Sequence, residues 1–394
     1  MPEPRYAWVI VWAVFVCLGV IFGVNYSFAA FFQSFAGEFK AERADIALIF
    51  GLSGLVHFSL GALAGMAADR FGPRLVTASG MLCIAAGLWA TSLAHSMQAV
   101  YLGYGLTVGL GIALVYSPAI GCVQPWFTQR RGLAGGIASA GIGAGTLAVP
   151  LLAAWLIAGF QWRQGLQALA MGVLLVGVAA SLLLRRAPLA VAAPGGVARP
   201  GESLRQALRN PRFWWLYAGV VAGAFPMFIP FAHVSVAARD LGIAEAQAVG
   251  LVGAIGIGSL TGRFAIGALA DRIGRKRTLA LMQASMGLSY ALWLAAGSYS
   301  SFLVFALWLG LSYGGIVSLL PALCMDMFGA RAVAGIIGTL YTGAALGNLV
   351  GPVAAGAVFD QTGSYAPVLW GCMAASVLAT LAAWRLMRLP GPSY

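Results

Sequence analysis

The sequence predicts an all-α membrane protein of twelve transmembrane helices in two six-helix pseudo-repeats, with both termini cytoplasmic. Three observations predict it. Of the 394 residues, 61% are apolar and 9% charged, against roughly 45–50% and about 25% in soluble domains. The apolar residues fall into runs of about 20, the length that crosses a bilayer as a helix. And one charged turn, Gly65-Met-Ala-Ala-Asp69-Arg70-Phe-Gly72-Pro-Arg74, recurs as Gly267-Ala-Leu-Ala-Asp271-Arg272-Ile-Gly274-Arg275-Lys276 near half the chain length away.

The spans, in order, are 8–32, 45–66, 75–94, 98–122, 132–156, 165–184, 212–236, 247–269, 278–297, 301–326, 332–358 and 366–387. The first is too long for a signal-peptide core and has no small-residue cleavage site, so it reads as a transmembrane helix. An even number of spans puts both termini on one side. The loops on that side carry 18 Lys and Arg residues, and the opposite loops carry four, Lys40, Arg43, Arg163 and Arg239. By the positive-inside rule that side is cytoplasmic, in a bacterial-type inner membrane. Orientation thus accounts for the formal +12 charge without any nucleic-acid partner.

The longest internal loop, 185–211, is rich in glycine and proline and marks a cytoplasmic linker. It divides the chain into an N-terminal half, 1–184, and a C-terminal half, 212–394. Within it, Leu204, Ala207 and Leu208 opposite Arg205 and Arg209 suit one short amphipathic helix. A second, looser match sets Phe127-Thr-Gln-Arg130 against Phe328-Gly-Ala-Arg331. Duplicated halves point to a transporter whose site lies between them.

The candidate site is the glycine-rich run Val252-Gly-Ala-Ile-Gly-Ile-Gly-Ser259-Leu-Thr-Gly-Arg263. A guanidinium facing lipid at mid-membrane costs about 2.5–3.5 kcal/mol on insertion scales, so it normally faces protein or a wet cavity. On a helix, Gly256, Ser259 and Arg263 share a face, leaving space for an anion beside the charge. All eleven Asp and Glu residues lie at or near span ends, so none is placed to pair with Arg263 mid-span. The five cysteines have no metal-ligand spacing and read as packing residues; neither metal nor cofactor is called for. His233 lies in a span bent by Pro226 and Pro230, and as a side chain that titrates near neutral pH it is the proton-coupling candidate. His57, in the second span, has the same chemistry. Asp69 with Arg130, and Asp271 with Arg331, are placed to pair as cytoplasmic gates that latch each half when the site opens outward.

The duplicated turns resemble the signature loops of the major facilitator superfamily. The stretch Trp126-Phe-Thr-Gln-Arg130-Arg131-Gly-Leu133-Ala134-Gly-Gly136-Ile-Ala138-Ser-Ala140-Gly141 is similar to the helix 5 signature of its monocarboxylate transporters, with Gln129 where that family usually has a basic residue. Asn25-Tyr26-Ser27-Phe28 before Phe31-Phe32 resembles the end of the family's first helix. The resemblance implies alternating access and places Arg263 where the family binds the substrate carboxylate, with Tyr116, Ile142, Tyr313 and Asn25 walling the cavity. Ser259 stands where animal members have an aspartate, and no lysine follows Asn25, so the proton relay of those members does not carry over. The oxalate/formate antiporters are also similar but add a lysine in helix 11, whereas 332–358 has neither lysine nor arginine. One buried cation suits one carboxylate. The reading is therefore a secondary carrier of small monocarboxylates, lactate or pyruvate in type, moving with a proton. The alternatives are a carboxylate exchanger of the oxalate/formate type and, outside carriers, a membrane receptor. An enzyme is not expected, since no mid-span nucleophile, carboxylate pair or metal cluster is found.

Overall fold

The computed structural model describes residues 5–127, 131–186, 201–329 and 331–389. Nearly all of them are helical. The long helices are α1 (Arg5–Phe39), α2 (Arg43–Phe71), α3 (Pro73–Ser92), α4 (Met97–Val123), α5 (Arg131–Gly159), α6 (Trp162–Leu182), α7 (Pro211–Asp240), α8 (Glu245–Ile273), α9 (Arg275–Leu294), α10 (Tyr299–Phe328), α11 (Val333–Thr362) and α12 (Ala366–Arg388). Eleven of these are long and apolar enough to cross a membrane among the described residues. The one that falls short is α9, counted as a span in the sequence. Its first turn is Arg275-Lys276-Arg277, and its buried face carries Thr278, Gln283 and Ser289.

The helices overrun the apolar spans because hydropathy stops where polar residues enter, while helical periodicity continues. Past Phe32, the last residue of the first expected span, Phe35, Ala36 and Phe39 keep to the buried side while Gln33 and Gly37 face out. The helix ends only at Lys40, whose φ of 50° breaks it.

The duplicated turn is a duplicated backbone. Gly72 has φ 93° and ψ 148° and donates its N–H to the Ala68 carbonyl; Gly274 has φ 92° and ψ 140° and donates to Ala270. A side chain is poorly tolerated at such angles, which is why glycine closes the Asp-Arg-x-Gly turn in both places.

Within each half, small residues let helices touch backbone to backbone. A Cβ built on Gly145 of α5 would fall on the carbonyl of Gly19 in α1, and one on Gly314 of α10 would fall on the carbonyl of Ser259 in α8. Lipid offers no hydrophobic drive to bring helices together, so this close packing supplies the attraction. Between the halves, α2 packs along α11, α5 along α8 and α1 against α7. The linker helix expected from Leu204, Ala207 and Leu208 is present as Leu204–Arg209, started by a Ser203/Gln206 capping box. It is tied to the C-terminal end of α10 by the Glu202 N–H donating to Phe328 O at 2.8 Å.

Candidate functional site

α8 is wedged between two neighbours by its glycines. Gly258 and Gly262 lie on Leu307 and Leu311 of α10, and Gly253 and Gly256 lie against Leu147 and Gly143 of α5. That leaves the Ser259–Arg263 edge to face inward. Nε and Nη2 of Arg263 are buried and have no hydrogen-bond partner, and neither does the buried Ser259 hydroxyl one turn away. Buried donors are nearly always satisfied in folded proteins, so this cluster is an exception that a ligand would resolve.

Arg263 borders a cavity of about 80 Å³. A single water needs roughly 10–15 Å³ of such space, so the cavity has room for about five to eight waters or for an organic acid of comparable bulk. Tyr116 of α4, Ile142 of α5 and Tyr313 of α10 line it, together with Tyr26 of α1 and Tyr341 of α11. Among the described residues that line it, Arg263 is the one with a charge.

Two expected wall residues lie elsewhere. Asn25 is buried behind the wall, where its Oδ1 accepts the Ser53 hydroxyl at 3.0 Å and ties α1 to α2. Ser259 is not on the lining, although its free hydroxyl stays beside Arg263. Tyr26 was missed, and the signal was there: Phe22 and Tyr26 are four apart, hence on one helix face, and both line the cavity. Tyr341 and Gln283 were missed as well. The stretch holding Tyr341 stands out in the sequence only for its lack of cations.

One end of the cavity is shut. The Tyr26 ring stacks on Phe231 of α7 with centroids 4.0 Å apart, and its hydroxyl is 3.3 Å from that of Tyr313. Beyond this floor, at the end away from the termini, Arg43 of α2 reaches across to the other half. Its guanidinium donates twice to Asp240, at 2.8 Å each, and once to the Tyr365 hydroxyl at 2.9 Å, and it lies 3.7 Å from the Phe359 ring. The backbone N–H groups of Arg43 and Ala44 donate to Asp360.

His233 belongs to this closure and not to the cavity lining. It is fully buried. Its Nε2–H donates to the Pro352 carbonyl at 2.8 Å, which leaves Nδ1 of the neutral ring to accept the Tyr365 hydroxyl at 2.9 Å. His57 sits behind the opposite wall, stacked on Phe58 and edge-on to Tyr116, with Nε2 unpartnered.

At the end that carries the termini, the cavity reaches Trp215, Leu216 and Leu386. Asp69, Asp271 and Arg331 are all exposed there, and no ion pair joins Asp271 to Arg331. Arg130 lies outside the described residues. Among the described residues, Arg275 and Asp326 form an ion pair on this side of the C-terminal half at 2.5 Å.

A family model described as Major Facilitator Superfamily matches residues 14–256 and 225–394. Monocarboxylate transporter 3 of Rattus norvegicus is 30% identical over 391 residues, covering 96% of this chain and 79% of the relative. Monocarboxylate transporter 13 of Bos taurus is 29% identical over 367 residues, covering 92% and 85%. The MFS transporter asaE of Aspergillus flavus is 31% identical over 309 residues, covering 78% and 69%. Among solved structures, a bacterial homolog of the human lysosomal transporter Spinster, in an inward-facing and unoccupied conformation, shares the fold with a TM-score of 0.73. That likeness is at 18% identity and covers 98% of this chain and 97% of that one.

Proposed function

Because this chain belongs to the Major Facilitator Superfamily, and within it to the monocarboxylate transporter family, we propose that it carries a small monocarboxylate, lactate or pyruvate in size, together with a proton by alternating access. It is a multi-pass membrane protein of a family of carriers, not enzymes. The observation that carries the substrate reading is the pair of unpartnered guanidinium donors of Arg263 on the wall of an otherwise uncharged cavity. A carboxylate would satisfy both donors in a planar, two-pronged contact. A dianion would keep one charge unpaired in a low-dielectric site, at a cost of several kcal/mol. Substrate contacts are assigned to Arg263, Tyr116, Tyr313 and Ile142, with Ser259 and Asn25 supporting them from the second layer.

The excess of basic residues in the loops at the termini end supports a reading in which that end is cytoplasmic, in a bacterial-type inner membrane. The cavity then faces inward, with the Arg43 cluster as the outer gate. In this state Asp271 and Arg331 form no ion pair, and the proposed latches, Asp69 with Arg130 and Asp271 with Arg331, close when the site opens outward. Asp69→Asn and Asp271→Asn should therefore change the transport rate and the inward/outward balance more than substrate affinity. Equilibrium binding that collapses at normal rates would remove the latch assignment.

His233 is the proposed proton carrier. In the closed gate both ring nitrogens are engaged, so it can load or release a proton only when Tyr365 swings away with Arg43. In proteoliposomes an inward gradient of one pH unit should then drive up to about tenfold accumulation at one proton per acid. His233→Gln should abolish that accumulation and spare counterflow of labelled acid. Uptake by the unmodified protein that ignores the pH gradient would rule out coupling. A panel of labelled mono- and dicarboxylates in the same vesicles tests the substrate class, and preferred dicarboxylate exchange would replace this reading with the oxalate/formate type.

A further inference from the structure

The cavity does not end at Arg263. It continues between α7, α9 and α12, past Gly219 and Gly223 of α7 to Gln283 of α9 and to Ala379 and Ala383 of α12. The side chains here are small or apolar, with Gln283 the polar one. Gln283 is 3% exposed, and its Oε1 has no hydrogen-bond partner. Just behind the lining, the hydroxyl of Ser376, one turn along α12 from Ala379 and packed on Gly287 one turn along α9 from Gln283, is also buried and unpartnered. Two unsatisfied polar groups on neighbouring turns of facing helices are unfavourable in an empty protein and favourable in one whose ligand brings a partner.

The lobe and the arginine share a depth. Arg263 lies ten residues from the C-terminal end of α8, and Gln283 lies eight from the N-terminal end of α9, at the same end of the molecule. At 1.5 Å per residue these are about 15 Å and 12 Å. The two sit on different helices, each packed along α10, so a ligand that touches both has to be longer than one that only fills the space beside Arg263.

We propose that this lobe is a second, uncharged subsite of the same cavity, and that the favoured cargo is a monocarboxylate with an extended apolar body carrying a hydroxyl or carbonyl at its far end, with the carboxylate on Arg263, the body between α7 and α12, and the distal polar group on Gln283 and Ser376. This rests on the monocarboxylate reading and sharpens it.

The test is equilibrium binding to the purified protein in lipid nanodiscs, with lactate, octanoate and ω-hydroxyoctanoate as probes. Each buried methylene is worth about fourfold in affinity, so octanoate should bind at least tenfold tighter than lactate, and the ω-hydroxy acid tighter still. Gly219→Leu fills the lobe at a position where a new Cβ meets only ordinary contacts, with the Ala382 Cβ and the Ala379 carbonyl. It should bring both long acids down to the level of lactate while lactate changes less than twofold. Gln283→Leu should erase the advantage of the ω-hydroxyl and leave octanoate unchanged. If Gly219→Leu loses its monodisperse profile, Ala383→Val narrows the same lobe from α12. Equal affinity for lactate and octanoate would overturn the proposal, as would lobe variants that weaken all three acids alike. So would octanoate binding that survives Arg263→Ala, since the lobe would then be holding an acyl chain without its carboxylate anchored. Absence of binding by every acid would be a different failure, that of the monocarboxylate reading itself.

Discussion

Arg263→Ala is expected to abolish carboxylate binding and transport while leaving the protein folded. The anion would lose the one charged contact among the described residues of the cavity wall and two charge-assisted hydrogen bonds. At about 1.5–3 kcal/mol for each such bond, the loss is at least a hundredfold in affinity. Stability should hold or rise, because Nε and Nη2 have no partners to abandon and because a guanidinium at this depth is costly. Arg263→Lys keeps the charge and loses the planar fork, so it should restore only part of the binding. Counterflow of labelled acid, read beside thermal unfolding of the same preparations, separates the two effects. Undiminished affinity in the alanine variant would remove Arg263 from the site.

Gly145→Val is expected to do the opposite, leaving the site's chemistry untouched and losing the fold around it. Its Cβ would fall on the Gly19 carbonyl of α1, and backbone cannot yield as a flexible side chain does. α1 and α5 would have to part along their contact, and overpacking of this kind costs about 1–3 kcal/mol or more. The expected result is little monodisperse protein and no transport. Gly371→Ala is the control: the position is exposed on α12, a Cβ there meets nothing within 4 Å, and the change should be neutral or slightly stabilising. Equal yield and unfolding temperature for Gly145→Val and Gly371→Ala would show that the α1–α5 contact is not tight.

What could be read along the chain was what is periodic or locally encoded. The helices followed from apolar runs, and the paired Gly72 and Gly274 turns from a repeated string. Arg263 followed from the cost of a lone charge in an apolar helix. The apolar run 278–297 counts as a span in the sequence, and the basic first turn and polar buried face of α9 are what set it apart from the other eleven. The Arg43 gate was not legible. Arg43, Asp240 and Asp360 each looked like an ordinary charge at a span end, and which ends meet across the halves is a property of packing, not of spacing. The same holds for Tyr341 and Gln283. Each sits in a helix whose sequence shows no special pattern, and only the fold turns them toward the same space. His233 was singled out for its titratable ring, but a ring's chemistry does not say which of its partners, Pro352 or Tyr365, will hold it.

The aromatic floor beneath the gate has a consequence for the membrane as an insulator. A carrier at rest must hold back intruders far smaller than its cargo, above all hydrated protons, on which each 100 mV of potential acts with about 2.3 kcal/mol per charge. Tyr26 against Phe231 at 4.0 Å leaves no room for water between the two rings, and the buried Phe28 and Phe32 continue the apolar layer along α1. With this end closed, the stacked rings stand as an apolar barrier between the cavity and the far face of the membrane.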